Sequence, residues 1–277
     1  MPIKDILVHA DSTETFESRL SYAIALAEQH GAHLTALYVI PEYPIPAYVG
    51  VPMGPVIIEE SLKFETQEIE ATRKKLASIT DKTGFNVEWR QAQGDPTRIL
   101  DIQGRYFDLV ILGQTDPRWS SEYATGQTDQ LVVSLGRPAL IIPFIGAEAK
   151  PPKHILVAWD GSSAAARALN DALPLLQNAD LVEVMTVNPG KDSVNEGDVP
   201  AHDICLHLAR HDVTVEARVS HATDISTADL FLSHACDMGA DLMVMGAYGH
   251  SRVREFIFGG VTKHMLKHMT IPVLMSH

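Results

Sequence analysis

Cysteine is close to absent from this chain: two residues, Cys205 and Cys236, in 277, with no C-x-x-C pair. That usage fits a reducing compartment and argues against a redox couple, so both thiols are expected as buried structural groups. Basic residues are also scarce, with 22 Lys and Arg against 35 Asp and Glu and a formal net charge of -13. A binder of polyphosphate backbones or anionic lipid needs a basic face, so nucleic acid and membrane are not expected as main partners. A small nucleotide stays compatible, because a local set of main-chain donors can meet its phosphates inside an acidic protein. No hydrophobic run is long enough to span a bilayer, and the first residues, MPIKDILVHADS, read as a strand and turn rather than a signal sequence. The expected location is the cytoplasm. Missing too are the Walker G-x-x-x-x-G-K-[ST], the dinucleotide G-x-G-x-x-G, the G-x-S-x-G elbow and the zinc H-E-x-x-H, which leaves a dedicated catalyst without a template.

What is present is a duplication. KDILVHADST (Lys4 to Thr13) matches KHILVAWDGS (Lys153 to Ser162), and FDLVILG (Phe107 to Gly113) matches ADLMVMG (Ala240 to Gly246). Between these anchors LTALYVIP parallels LVEVMTVNP, and NVEW parallels TVEA. The length suits one large or two ordinary domains. IGAEAKPP (Ile145 to Pro152) has the Gly, Ala and Pro content of a junction, so the expected domains are 1–146 and 152–277.

Each copy alternates strand and helix. In the second, ILVAW is a short apolar run of the buried-strand type, and Ser162 or Ser163 can cap a helix carrying Ala166, Leu169, Leu173 and Leu176. Pro174 should distort that helix or mark its last turn. Strands separated by helical segments imply right-handed crossovers and a parallel sheet covered on both faces, so the expected fold is α/β, a doubly wound five-stranded sandwich made twice. Ligands in such sheets bind at the carboxyl ends of strands near a switch in strand order. Asp160 and Gly246 both sit at such ends and can share one pocket.

Near the C-terminal end, DLMVMG runs straight into AYGHSRVREFIFGGVTKHML, presenting Gly246, Gly249 and Gly259 before a helix expected from Val261. Glycine lets main chain approach a ligand, and the free N–H groups of a helix start favour phosphate. The spacing G-x2-G-x9-G after an apolar strand resembles the phosphate loop of the universal stress protein family, in particular its ATP-binding branch. In that family Ser or Thr normally follows the last glycine. Here Gly260 stands there, which removes a hydroxyl but keeps an N–H, and Thr262 offers a hydroxyl two residues on. The resemblance implies a tandem protein that binds ATP or AMP, with magnesium where the triphosphate requires it. Asp160 would meet base and ribose, the Val187 backbone the adenine edge, and Gly246, Gly249, Gly259, Gly260 and Val261 the phosphates. Asp160-Gly161-Ser162 also reads as a plain turn and helix cap, and both readings can hold together. His250, Ser251, Arg252 and Arg254 lie where they can approach phosphate or simply face solvent. Family members commonly pair through their fifth strands, and LIIPF (Leu140 to Phe144) and IPVLM (Ile271 to Met275) are apolar edge candidates. They are expected to pair within the chain as an internal pseudo-dimer.

The first copy looks degraded at the same place. Gly113 and Gly126 are kept, but Asp116 replaces the second glycine, Gln127 the hydroxyl residue, and Asp129 begins the next helix, so carboxylates would face a polyanion. Asp11 matches Asp160, which leaves room for a base or another small ligand there. The excursion Pro41 to Glu60 reads equally as a lid, a contact surface or a passive loop. His207 with His211, and His264 with His268, share helix faces, yet no third ligand has suitable spacing and solvated faces are expected rather than a metal.

Three classes remain open: a nucleotide-binding regulatory protein with slow or incidental hydrolysis, a weak ATPase or adenylyl-transferring enzyme, and a nucleotide-free scaffold for an apolar or lipid-like ligand. A homodimer and a protein partner of unknown kind are compatible with each.

Overall fold

The computed structural model describes residues 2–41, 55–115, 128–188, 201–221, 224–248 and 260–277, with the side chains of 55–62 left out. The first copy runs β1 (Asp5–Ala10), α1 (Phe16–His30), β2 (His33–Pro41), α2 (Pro55–Thr83), β3 (Glu88–Gly94), α3 (Pro96–Gly104), β4 (Leu109–Gly113), α4 (Thr128–Ser134) and β5 (Ala139–Ile142). The second repeats it with β6 (His154–Ala158), α5 (Ser163–Leu176), β7 (Leu181–Val187), α6 (His202–Ala209), β8 (Val215–Ser220), α7 (Thr227–Asp237), β9 (Leu242–Gly246), α8 (Val261–His268) and β10 (Val273–Ser276). Of the excursion expected over Pro41 to Glu60, Pro41 closes β2 and the last residues already belong to α2. Residues 42–54 lie outside the described residues.

All ten strands join one sheet in the order β3-β2-β1-β4-β5-β10-β9-β6-β7-β8. Every pairing is parallel except the central one, where β5 and β10 run antiparallel with Leu140 opposite Leu274. The fifth strands therefore pair within the chain, as their apolar edges led us to expect. The two copies are related by an approximate two-fold at that seam. Corresponding carboxylates confirm the duplication in three dimensions: Asp108 accepts the N–H groups of Lys4 and Asp5, and Asp241 those of Lys153 and His154.

Side chains alternate across each strand, and each face of the sheet carries one apolar layer that continues from copy to copy. Ile6, Val8, Ile155 and Val157 pack under α1, α2 and α5, while Leu7, Val110, Leu156 and Met243 pack under α3, α4, α7 and α8. The outermost strands, β3 and β8, carry Glu88 with Arg90 and Glu216 with Arg218, charges that blunt an open edge. Helix starts follow their caps: the Ser162 hydroxyl accepts the N–H of Ala165, and Ser226 that of Asp229. Pro174 falls in the last turn of α5. One expectation about the thiols fails. Cys236 is exposed and Cys205 half-buried, because on its helix Cys236 follows the core residue Ala235 and turns away from the sheet. No helix among the described residues is long and apolar enough to cross a membrane.

Candidate functional site

Within each copy the chain leaves β1 (or β6) outward in one direction and returns to build β4 (or β9) on its other side, so the switch in strand order lies between those two strands. In the second copy a cavity of about 270 Å³ opens at this point. Its floor is Ala158 at the end of β6 beside Met245 and Gly246 at the end of β9, and Val187 closes it from β7. Thr227 and Phe231 of α7 form one wall, while Val261 and Thr262 at the start of α8 form the other. Trp159, Asp160 and Tyr248 complete the rim.

Five residues expected from the sequence thus line one cavity: Asp160, Val187, Gly246, Val261 and Thr262. Gly249, His250 and Gly259 lie outside the described residues, as do Asp116, Gly126 and Gln127 of the first copy. Gly260 is the N-cap of α8 and makes no side-chain cap. The first N–H groups of that helix therefore have no cap from its own side chain, a setting that favours an anion. Asp160 is exposed, and its Oδ1 accepts the N–H of Ser162 at 2.9 Å while Gly161 takes a φ of +76°. The turn reading and the ligand reading of this carboxylate are thus compatible.

Two residues have structural tasks that their positions did not announce. A Cβ on Gly246 would collide with the backbone of Ala164 and Ala165, so this glycine lets the first turn of α5 rest against the end of β9. The Thr262 hydroxyl, buried to 2 % exposure, accepts the N–H of Tyr248 at 3.2 Å and ties the end of β9 to α8. Tyr248 itself sits at a φ of +53°, a costly conformation for a side chain of its size. The sequence reasoning missed Ala158, Trp159, Thr227, Phe231, Met245 and Tyr248. Trp159 and Tyr248 carried a signal, each standing beside a residue already singled out; Thr227 and Phe231 belong to a helix that folds in from elsewhere.

In the first copy the equivalent carboxylate is engaged by its own chain. Asp11, the counterpart of Asp160, is only 5 % exposed and binds Arg19 Nη2 at 2.6 Å and both the N–H and the hydroxyl of Thr13. Arg19 Nε donates to the His9 carbonyl at 2.9 Å. Burial alone would raise the Asp11 pKa, but Arg19, His9 and Thr13 outweigh it and hold the carboxyl below its usual range. Burial pushes the His9 imidazole down to about 4 against the opposing pull of Asp11.

The histidine pairs do share faces, with ring centroids 4.7 Å apart for His207 and His211 and 4.4 Å for His264 and His268. His264 is engaged by Asp229 across the α7 and α8 wall at 2.8 Å. Among the described residues no group of three or more His, Cys, Asp or Glu is placed to hold a metal ion.

This architecture is a tandem, doubly wound α/β sandwich, and the comparisons agree. The model of the universal stress protein family matches residues 2–141 and again 152–277, and the chain belongs to that family. It is 25 % identical to universal stress protein Slr1230 of Synechocystis sp., over 98 % of this chain and 99 % of that one. A universal stress protein from Archaeoglobus fulgidus superposes with a TM-score of 0.72 at 17 % identity, covering 98 % of this chain and 95 % of its own. A protein of unknown function from Pseudomonas aeruginosa, PA1789, does so at 0.62 and 18 %, covering 99 % and 92 %.

Proposed function

We propose that this tandem universal stress protein binds ATP or AMP in its second copy and serves a regulatory role in the stress response, hydrolysis being slow or incidental. The observation that supports it is the cavity at the β6 and β9 switch point, where an exposed carboxylate, an apolar slot and an uncapped helix start converge. Each part suits one part of the nucleotide. The Asp160 carboxylate accepts hydrogen bonds from ribose hydroxyls or an amino group. Phe231, Met245 and Val187 give a flat base apolar contact, and the main chain at Val187 offers its edge a donor and an acceptor. Val261 and Thr262 present N–H groups of α8, whose dipole favours negative charge. Volumes of small-molecule sites run from about 300 to 1,000 Å³, so the described cavity suits the nucleoside end, with phosphates leading toward Gly260. A triphosphate would enter with magnesium as its counterion, and Asp160 is the one carboxylate among the described lining residues.

Calorimetry tests this reading. The parent protein should bind one equivalent of ATP or AMP, and Asp160→Ala should weaken binding roughly tenfold, about 1.4 kcal/mol. Two equal sites, or no heat with either nucleotide, would sink it, and the second outcome would favour a scaffold for another ligand.

A further inference from the structure

The two copies differ at the matched ends of β1 and β6. Ala158 lines the second-copy cavity and pairs in register with Met185; the residue in the same register of the first copy, opposite Leu37, is His9. Alternation along the strand puts both side chains on the same sheet face, the one carrying Leu7 and Leu156. Counting on from the matched aspartates, Ala168 in α5 corresponds to Arg19 in α1, each buried at its helix's sheet-facing side. Two small residues of the open copy are thus two large polar residues in the other.

The geometry shows what they fill. His9 is 2 % exposed, and its Nε2 is buried without a hydrogen-bond partner. Arg19 is 1 % exposed, and its guanidinium lies against Gly113, where a Cβ would strike Nη1. In the second copy the corresponding Gly246 packs on the helix backbone instead, with no side chain between. The Asp11 carboxylate is already committed to Arg19 and Thr13.

We propose that the first copy is closed to nucleosides from within, the His9 imidazole standing where the second copy has its cavity floor and Arg19 taking the carboxylate that a ribose or amino group would use. This rests on the reading of the second-copy cavity as the nucleotide site. It also removes the opening that Asp11 left in the sequence: closure occurs at the nucleoside end, ahead of any repulsion by Asp116. His9 and Arg19 are then specificity determinants that assign ligand to one copy.

Reciprocal exchange is the experiment. Ala158→His should fill the second-copy cavity and reduce ATP affinity at least a hundredfold in calorimetry, while leaving Asp160 and the α8 N–H groups in place. The paired change His9→Ala with Arg19→Ala should let the first copy take adenosine, a probe without phosphates, raising the adenosine stoichiometry of the protein from one to two. Crystal structures of both variants give a readout independent of nucleotide: a cavity lost beside Asp160 in Ala158→His, and one gained beside Asp11 in the paired variant. If the Ala158→His cavity stays open, or that variant binds ATP like the parent, the proposal is wrong. A collapsed first copy after the paired change also overturns it, since the two side chains would then be filling no preformed space. Should the parent bind no adenine compound while the cavities exchange as described, closure stands and the nucleotide reading falls.

Discussion

Burying a histidine beside an aspartate and an arginine makes the fold sensitive to acid. His9 is held at about 4 in the folded chain and titrates near 6.5 once unfolded. As the pH falls between these values the unfolded chain binds a proton that the folded chain refuses, so stability drops; over the full window the loss is about 3 kcal/mol. Asp11 continues the trend lower down. Its folded pKa lies below the ordinary carboxylate value, so its contribution is present above that value and is lost as the pH falls through the folded one. Urea unfolding of the parent should therefore show a stability that declines between pH 6.5 and 4. His9→Leu should flatten that stretch while leaving the steeper loss below it, and an identical decline in both proteins would show that another group is responsible. The Thr262 hydroxyl teaches a related lesson about single residues. Its place two residues past the last glycine suggested phosphate, and its buried oxygen also accepts the Tyr248 N–H, a brace for the loop's two ends. Nothing in a linear string distinguishes a hydroxyl aimed at a ligand from one aimed at a neighbouring strand end.

At the scale of elements, the joint that matters is between β4 and α8. Gln114, directly after β4, is 6 % exposed; its Nε2 donates to the carbonyls of Leu266 and Lys267, and its Oε1 accepts the N–H of Phe144. The first copy thereby caps the C-terminal end of the helix whose opposite end lines the cavity. The second copy returns no such grip, because the residue matching Gln114 is Ala247. Replacing the amide by an apolar chain of similar length leaves those backbone groups unpaired, so Gln114→Met should cost about 1–3 kcal/mol in urea unfolding. A change within a few tenths would show that water satisfies them equally well. How far such elements were legible depends on what built them. The strands, their alternation with helices and the inward pairing of β5 with β10 followed from apolar runs and the hazard of a bare apolar edge. Arg19 was legible in part: it stands three residues after Phe16 and one before Leu20, on an otherwise apolar face, which demands a buried acidic partner. His9 opposite Ala158 was visible in the alignment of ILVHADS with ILVAWDG. Its meaning was not, since that needs the sheet face, the covering helices and the cavity that Ala158 lines. Gln114 had no signal, for the helix carbonyls it caps lie some 150 residues away.

Taken whole, the molecule is a dimer interface written into a single chain. Both apolar layers run unbroken across the β5 and β10 seam, so heating should unfold the copies together in one transition, and neither is expected to be content alone. Residues 152–277 expressed by themselves would bare β10, an apolar strand whose open edge seeks a partner. Light scattering should find that fragment as a dimer, two β10 strands replacing the lost β5 pairing. A stable monomer at micromolar concentration would mean that the seam contributes little to holding the halves.

The antiparallel seam has one more consequence, and it is genetic. In an assembly of two separate identical chains, any codon change appears on both sides of the axis, so a histidine that plugs one pocket plugs its twin, and the complex loses every ligand at once. Joining the halves end to end removes that constraint. Position 9 can become histidine while position 158 stays alanine, and one half is free to specialise as a brace, as Gln114 does for α8.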